Sequence, residues 1–278
     1  MPFNEIIKKN PDDLPKASGR RVTDLMYRHW DHYVESIQHP YVADVTENGI
    51  TGGADILNGE PFECPMEPFG GMEQIAWSVD SKSIAYTCRK KTGRDYAIST
   101  DSDIYLYNVE TGATKNLCKE DGYEPVVVDA TKTMKAQRVN SEENLKNNPG
   151  YDTNPQFSPD GKYVAWQSMA RDGYEADRNR LCVYELTTGE KTYVTESFDS
   201  NVDAFCWNKD SKTLYFTGVW HGCVNIYQTG LNGEVSQLTN DWADVVSLSM
   251  ANDGDRLLAL RQSLSAPTDI YIVNPHKE

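Results

Sequence analysis

One hairpin unit recurs along the chain, and its spacing constrains the fold more than any single residue does. In each copy an apolar strand leads into a polar turn that contains aspartate, and a second apolar strand follows. The copies lie at 74–86, 154–166, 204–216 and 247–259. Their turn aspartates are Asp80, Asp160, Asp210 and Asp253, at successive intervals of 80, 50 and 43 residues. The last two intervals match the roughly 40–50 residues of a four-stranded propeller blade, and the first is a blade with an insertion.

The copies also continue alike, with a third strand, a glycine turn and a fourth strand. We expect third strands at 103–107, 180–184, 224–227 and 269–273, and fourth strands at 115–117, 192–194 and 236–239. Apolar alternation with a period of two between such turns is typical of hairpins. A twisted sheet with two apolar faces cannot bury both alone, so such sheets stack radially. The sequence predicts an all-β fold, a partial β-propeller of four-stranded blades with about four recognisable units plus a partial one, and no α/β-hydrolase domain.

We assign residues 1–278 to a single propeller fragment. Its parts are an N-terminal arm with a partial blade at 1–66, blades at 67–118, 151–197 and 198–240, an insertion at 119–150 and a partial blade at 241–278. In the insertion, 125–128 is a possible strand and 141–146 a short helix capped by Ser141, so we expect a surface loop or lid. Trp77, Phe157 and Trp207 occupy equivalent positions, which predicts core packing between blades.

Composition excludes several classes of function. The 278 residues carry a net charge of −15, which disfavours a nucleic-acid or anionic-membrane surface. We find no apolar stretch of membrane-spanning length and no signal-like N-terminus, so the chain is cytoplasmic or its export signal lies elsewhere. None of the six cysteines forms a C-x-x-C pair, and buried thiols are expected at Cys88, Cys182 and Cys206. The spacing of the cysteines does not decide whether a disulfide forms. No cofactor is expected.

Longer motifs resemble a known family. The hairpin at 158–161 resembles the repeats shared by the periplasmic protein TolB and the prolyl oligopeptidase family of serine peptidases. More specific similarity to the propeller of bacterial dipeptidyl-peptidase five and acylaminoacyl peptidases comes from segments 28–31, 67–71, 150–155 and 171–175. The resemblance runs from about residue 20 to the C-terminus and is interrupted by 119–150.

The resemblance implies a two-domain parent whose catalytic α/β-hydrolase domain follows the propeller and carries a Ser-Asp-His triad. The motif G-x-S-x-G, which places such a serine on a sharp turn, is absent from this sequence. We therefore expect a non-catalytic chain with no catalytic residues of its own. In the family, the propeller restricts access to the active site and helps to bind the peptide. The parent would be periplasmic or secreted.

Two excursions between second and third strands carry the candidate binding residues. Both contain Arg-Asp followed by tyrosine, at 89–97 and 169–178. A dipeptidyl peptidase must hold a free amino terminus, and carboxylates with a phenolic acceptor suit an ammonium group. The candidate substrate-binding residues are Asp172, Tyr174, Glu175, Arg94 and Tyr96. The alternative is a solvated hairpin whose Arg-Asp pairs are structural.

Histidines offer a weaker signal. His29 and Asp31 would share one strand face and His32 the other, which is poor geometry for a common metal ion, so we predict no metal site. His39 lies nearby in the sequence. His221 has no serine to activate and is expected in a loop.

Three functions compete: the propeller of a serine exopeptidase, a stand-alone TolB-like scaffold that binds proteins, and a carbohydrate-acting propeller enzyme with a central metal. The third needs histidines converging from several blades, which the sequence lacks. Expected partners are a peptide substrate, bound together with the hydrolase domain, and another copy of the chain through open blade edges. Nucleic acid and membrane are not expected.

Overall fold

The structure, a computed structural model, describes residues 7–9, 16, 20–22, 25–34, 36–126, 129, 131–132 and 140–276. Antiparallel strands that follow one another in sequence form its sheets. The four-stranded sheets are β7–β10 (Ile75–Trp77, Ser83–Cys88, Asp103–Asn108, Thr114–Asn116), β11–β14 (Asp152–Phe157, Tyr163–Ser168, Arg180–Glu185, Lys191–Tyr193) and β15–β18 (Phe205–Trp207, Thr213–Trp220, Cys223–Gly230, Val235–Gln237). The smaller sheets are β19–β21 (Asp244–Met250, Leu257–Ser263, Ala266–Val273), β1–β2 (Ile7–Lys9, Arg20–Val22), β3–β4 (Arg28–His29, His32–Tyr33) and β5–β6 (Tyr41–Thr46, Gly49–Asp55).

Helix is confined, within the described residues, to α1 (Gly93–Ile98), α2 (Glu142–Leu145) and 3-10 turns at Leu25–Tyr27 and Met72–Gln74. The predicted all-β class, a propeller fragment of four-stranded blades, is confirmed, and the expected third and fourth strands form. None of the helices in the described part of the chain has the length and apolarity needed to cross a bilayer.

The hairpin turns close because one aspartate satisfies several donors. Ser158 Oγ donates to Asp160 Oδ1 over 2.7 Å and accepts the backbone N–H of Tyr163 over 3.0 Å. The backbone N–H of Lys162 also donates to Asp160 Oδ1, over 3.1 Å. Gly161 has a φ of +72°, the left-handed region that the turn requires and that glycine adopts freely. The repeated motif is therefore a local device for reversing the chain.

The chain divides into two compact units, one of 1–75, 83–152 and 171–175 and the other of 76–82, 153–170 and 176–278. In the second unit the sheet β15–β18 is buried on both faces. Leu214 and Phe216 pack with residues of β11–β14 such as Val183, whereas Tyr215 and Ile226 pack with residues of β19–β21. Alternate residues of one strand thus serve two cores, as the period-two pattern predicts.

The first unit has a separate core around Leu57, Tyr86 and Tyr105. Two tyrosine rings of this core, Tyr86 and Tyr105, stack with centroids 5.4 Å apart. All six cysteines lie in the described part of the chain, and none forms a disulfide. Cys88 and Cys182 are buried as expected, and Cys206 is partly buried.

Three local expectations differ from the structure or fall outside it. Trp77 is 51% exposed, so its prediction as a core residue was wrong, whereas Trp207 is buried and stacks on Tyr163. In the insertion the predicted helix is confirmed as α2, but residues 125–126 form no strand and 127–128 lie outside the described residues. The helix α1 appears where the sequence indicated only a polar excursion.

Candidate functional site

A cavity of about 130 Å³ lies in the first unit. Apolar side chains such as Met26, Val34 and Ile37 form one part of its lining, called the apolar wall below, and His29, Glu63 and Tyr96 form the part called its floor. Its lining residues are Met26, His29, Val34, Ile37, Pro61, Glu63, Lys91, Thr92, Gly93 and Tyr96. Three of them, His29, Glu63 and Tyr96, form a connected polar group. They come from β3, from the segment between β6 and β7, and from α1, so folding brings together residues far apart in sequence.

Glu63 is the centre of the polar group and is only 8% exposed. Its Oε2 lies 3.0 Å from His29 Nε2, and its Oε1 accepts the hydroxyl of Tyr96. Burial, and then the negative charge of Glu63, raises the pKa of Tyr96 well above its usual value, so the phenol stays protonated and donates. Each carboxylate oxygen therefore has a partner, and each keeps a lone pair for a ligand.

Arg89 fixes the helix that carries Tyr96. Its Nη1 donates to the carbonyl oxygens of Tyr96, over 3.2 Å, and Ser99, over 2.8 Å. These carbonyls belong to the C-terminal end of α1, where backbone acceptors have no partner inside the helix. The guanidinium also lies 4.4 Å from the centre of the Tyr96 ring. One arginine thus positions both the helix end and the aromatic ring.

Asp172 joins the two excursions that the sequence singled out. Its Oδ1 accepts Ser99 Oγ over 2.8 Å and the backbone N–H of Thr100 over 2.7 Å. The N–H of Gly173 donates back to Thr100 Oγ1 over 2.8 Å. Burial raises the pKa of Asp172, and the Ser99 hydrogen bond opposes that effect. The loop 171–175 is therefore tied to the end of α1.

The insertion is tied to the same point. The side chain of Asn140 accepts the backbone N–H of Asp172 over 2.8 Å and donates to its carbonyl oxygen over 3.0 Å. This paired contact resembles a step of a β-ladder, because the amide side chain bonds both the N–H and the C=O of one residue, as a neighbouring strand would. Three segments thus meet at Asp172: the end of α1 bonds its carboxylate and the insertion bonds its backbone.

The other candidate residues of these excursions lie nearer the surface. Tyr174 is partly buried, with the guanidinium of Arg171 4.1 Å from its ring centre. Glu175 and Arg94 are exposed. Of the five candidates, Tyr96 lines the cavity, Asp172 anchors the loop junction, and the other three flank these positions in sequence. Their contact with substrate stays a prediction.

The N-terminal histidines each have a different acidic partner. His29 pairs with Glu63, His32 Nδ1 lies 3.2 Å from Asp31, and His39 Nδ1 lies 2.8 Å from Asp55. His221 lies in the β16–β17 turn, with a φ of +52°.

One group of described residues has ligand atoms close enough together to hold a metal ion. Asp103, Cys118 and Asp152 are buried, and their ligand atoms lie within 4.8 Å of one another. Lys119 Nζ, however, lies 2.9 Å from Asp103 Oδ1 and 2.6 Å from Asp101 Oδ1. An ammonium group already supplies positive charge there, so this cluster does not require a metal.

Sequence reasoning missed Glu63 and Arg89. The signal for Glu63 is an isolated acid in the otherwise apolar stretch 61–65, which contains two prolines and a cysteine. A charged residue in such surroundings is rarely buried without a partner, and the partners here are distant in sequence. Arg89 carries no comparable signal, because its role depends on the unpredicted helix α1.

No family model matches the chain. Dipeptidyl-peptidase 5 of Porphyromonas gingivalis is 45% identical over 274 residues, which is 98% of this chain and 36% of that protein. Dipeptidyl-peptidase 5 of Porphyromonas endodontalis is 44% identical over 275 residues, covering 99% of this chain and 36% of that protein. The chain thus spans 36% of the length of these relatives.

A solved structure shares the fold. A puromycin-hydrolysing peptidase of Mycobacterium tuberculosis superposes with a TM-score of 0.51 at 14% identity, over 87% of this chain and 38% of that chain. The resemblance stated from the sequence is confirmed: the chain is a homologue of the dipeptidyl-peptidase 5 proteins across almost its whole length.

Proposed function

We propose that this homologue of dipeptidyl-peptidase 5 is the non-catalytic propeller of a serine exopeptidase, where it gates access to the active site and helps to bind the peptide. The carrying observation is the buried carboxylate of Glu63 at the floor of the cavity, held by His29 and Tyr96. The activity of the whole protein, its peptide substrates and a periplasmic or secreted location are parts of this proposal. Similarity to bacterial dipeptidyl peptidases supports it.

The floor of the cavity suits the amino end of a peptide. The Tyr96 hydroxyl donates to one oxygen of Glu63 and His29 Nε2 lies 3.0 Å from the other, and each oxygen can accept a further hydrogen bond. An ammonium group could therefore donate to Glu63 in a charge-assisted hydrogen bond. Met26, Val34 and Ile37 line the same cavity, and apolar neighbours strengthen an electrostatic attraction because they lower the local dielectric constant.

The five candidate residues act together in this proposal. Arg94 and Tyr96 share α1, and Asp172 fixes the loop of Tyr174 and Glu175 to the end of that helix. We propose that this joined pair of loops borders the path of the peptide and limits which substrates enter.

The test is the substitution Glu63→Gln in the full-length protein. We expect KM for a dipeptide amide with a free amino group to rise about tenfold, equivalent to ~1.4 kcal/mol, with little change in kcat. Glu47→Gln, on the exposed β5–β6 turn, is the matched control. An unchanged KM in the Glu63 variant contradicts the proposed amine site.

A second test addresses the missing chemistry. We expect the chain of 278 residues by itself to release no product from dipeptide amides, and the reading frame that continues beyond it to encode G-x-S-x-G. Hydrolysis by the chain alone would overturn the non-catalytic assignment.

A stand-alone binding scaffold is the second candidate function. One observation favours it: the outward face of β20 and β21 exposes Leu258, Leu260, Ile270 and Ile272. Such a continuous aliphatic face is typical of a surface that contacts another protein. The reading-frame test separates the two candidates.

A further inference from the structure

The volume of the cavity that holds Glu63 limits what can enter it. That volume is about 130 Å³. An apolar protein cavity of ~150 Å³ takes up one benzene molecule, whereas pockets for drug-sized ligands span roughly 300–1,000 Å³. The cavity therefore accepts a group of about six non-hydrogen atoms, the size of benzene. The rest of any larger ligand has to stay outside.

The apolar wall determines the chemistry of most of that group. Met26 lies in the 3-10 turn before β3, Val34 and Ile37 follow β4, and Pro61 lies between β6 and β7. Val34 is only 6% exposed. None of these side chains donates a hydrogen bond, so they favour hydrocarbon over polar atoms. Each CH₂ group that moves from water to such a wall increases affinity about fourfold.

The charge of the cavity favours a cation, although a lysine also lines it. Lys91 Nζ lies 2.9 Å from Asp101 Oδ2, so its charge is paired with a carboxylate that is not part of the described lining. Among the described lining residues the acid is Glu63, which is 8% exposed. Its contacts are with the phenol of Tyr96 and the imidazole of His29, and neither is a permanent cation. A cation that enters the cavity therefore meets a carboxylate that no lysine or arginine has paired.

The size, the wall and the charge together define one class of ligand. An ammonium nitrogen on Glu63 leaves room for about five carbon atoms along the apolar wall. The nitrogen, Cα and side chain of an N-terminal leucine meet that limit, and those of an N-terminal phenylalanine exceed it. The side chain of lysine has the same chemistry and also fits.

We propose that this cavity is a size-limited site for a primary alkylammonium group, which places its nitrogen on Glu63 and its hydrocarbon against Met26, Val34 and Ile37. This inference rests on the proposed function and adds an upper size limit to the group that the same site binds.

The experiment titrates the chain of 278 residues with the straight-chain amines from propylamine to octylamine. Methyl NMR of the seven methionines follows binding: Met26 lines the cavity and should shift, whereas Met250, in β19 of the second unit, is the internal reference. We expect affinity to rise about fourfold per CH₂ up to pentylamine and then to stay level, because further carbons lie outside the cavity. A rise that continues to octylamine, or a shift of Met250 equal to that of Met26, contradicts the size limit.

Two substitutions in the wall should move the limit in opposite directions. Ile37→Phe fills part of the cavity, and the rise should end at a shorter amine. Val34→Ala enlarges the cavity, and the rise should continue to a longer amine. If both variants fold and keep the limit at pentylamine, the wall does not set it and the inference is wrong.

Glu63→Gln separates this inference from the proposed function. The variant should bind every amine about tenfold more weakly and leave the affinity for 1-pentanol unchanged, since only the ammonium group loses a charge-assisted hydrogen bond. If amines weaken but their affinity has no upper limit, the size limit is wrong and the amine site stands. If amines do not weaken, the amine site is wrong as well.

The source of the ammonium group is decided by two further probes, leucinamide and Nα-acetyl-lysinamide. Binding of leucinamide alone supports the N-terminal residue of a peptide as the ligand. Binding of Nα-acetyl-lysinamide alone keeps the size-limited site but contradicts the N-terminal role in the proposed function. If neither the probes nor the amines shift Met26, both proposals are overturned.

Discussion

Asp172 shows how a single carboxylate organises the candidate site. It accepts hydrogen bonds from Ser99 Oγ and the Thr100 N–H, and its other oxygen, Oδ2, is buried without a hydrogen bond to the residues that the structure describes. Burial raises its pKa, because the charged form loses hydration. The residue therefore stabilises the loop junction while carrying an unfavourable charge.

Replacing Asp172 tests both effects. Asp172→Ala should lower the free energy of unfolding by about 2 kcal/mol, because a buried hydroxyl and a buried N–H lose their acceptor. Asp172→Asn retains an acceptor oxygen and should lose much less. Glu175→Ala, a nearby exposed change, should stay within about 0.5 kcal/mol of wild type. Urea denaturation measures all three, and an Asp172→Ala variant as stable as wild type contradicts the structural role.

The pH dependence of the same variants has a definite sign. Because the pKa of Asp172 is raised in the folded state, the folded protein binds the proton more tightly than the unfolded chain. The contribution of Asp172 to stability therefore falls as pH rises above about 4, which is the pKa of an aspartate in the unfolded chain. Between pH 4 and pH 7, wild type should lose stability relative to Asp172→Asn. Parallel urea-denaturation curves at pH 4 and pH 7 would contradict this.

Sequence patterns could find some residues of the site and not others. Tyr96 and Asp172 stood out because two excursions repeat the order Arg-Asp-Tyr. Glu63 has no such repeat, since its contacts with His29 and Tyr96 join residues 34 and 33 positions away. Long-range pairing of this kind depends on how elements pack, which no local spacing encodes.

At the scale of elements, local hairpins were predictable and the short helix was not. Each hairpin is specified by neighbouring residues, as in the turn from Ser158 to Gly161. The helix α1 has only six residues, begins at a glycine, and depends on Arg89 at its C-terminal end. Helices this short gain most of their stability from tertiary contacts, so a propensity argument fails for them.

The strand β21 carries the element-scale prediction on association. Its edge has no partner strand among the described residues, and Ile270 and Ile272 are exposed beside Leu258 and Leu260 of β20. An open edge with an apolar face favours pairing with a second copy. We expect the chain to dimerise at high concentration and Ile270→Lys to weaken the dimer about tenfold or more, since a buried lysine is costly.

Sedimentation over a range of concentrations measures that association. Leu264→Lys, in the fully exposed turn between β20 and β21, is the control and should leave the dimer intact. A wild-type chain that stays monomeric at every concentration would contradict the predicted oligomer.

At the scale of the whole molecule, the aspartates of the repeated turns make the free energy of unfolding sensitive to pH in the acid range. The hydroxyl of Ser78 and then the backbone N–H of Lys82 lower the pKa of Asp80. Burial by itself would raise the pKa of Asp160. Hydrogen bonds from Ser158 and Lys162 outweigh that effect, so the pKa is lowered. Asp210 and Asp253 are shifted downward as well.

The lowered pKa values of the turn aspartates predict how stability changes at acid pH. A carboxylate with a depressed folded pKa contributes stability above its unfolded pKa of about 3.9, and that contribution disappears as pH falls through the folded value. Asp160→Asn should therefore destabilise the chain at pH 7 and much less at pH 2. Urea unfolding at both values checks this, with Asp44→Asn on exposed β5 as control. An equal loss at both pH values would show that the effect is not electrostatic.

The overall architecture was predictable because repetition amplifies a weak signal. A single hairpin motif is common, but four copies with blade-like spacing leave few alternatives to stacked sheets. Trp77 shows the limit of reasoning by equivalence. Trp207 is buried against Tyr163, a residue of the previous four-stranded sheet, whereas Trp77 belongs to the first such sheet and has no ring partner among the described residues.

The double-sided burial of the sheet β15–β18 has a consequence for how the second unit comes apart. Its backbone amides should exchange with deuterium slowest, because opening it requires separation from both neighbouring sheets. The sheet β19–β21 has one face in solvent and should exchange first, from the outer strand inward. Partial proteolysis would then trim the C-terminal hairpin and leave a shorter, still folded stack.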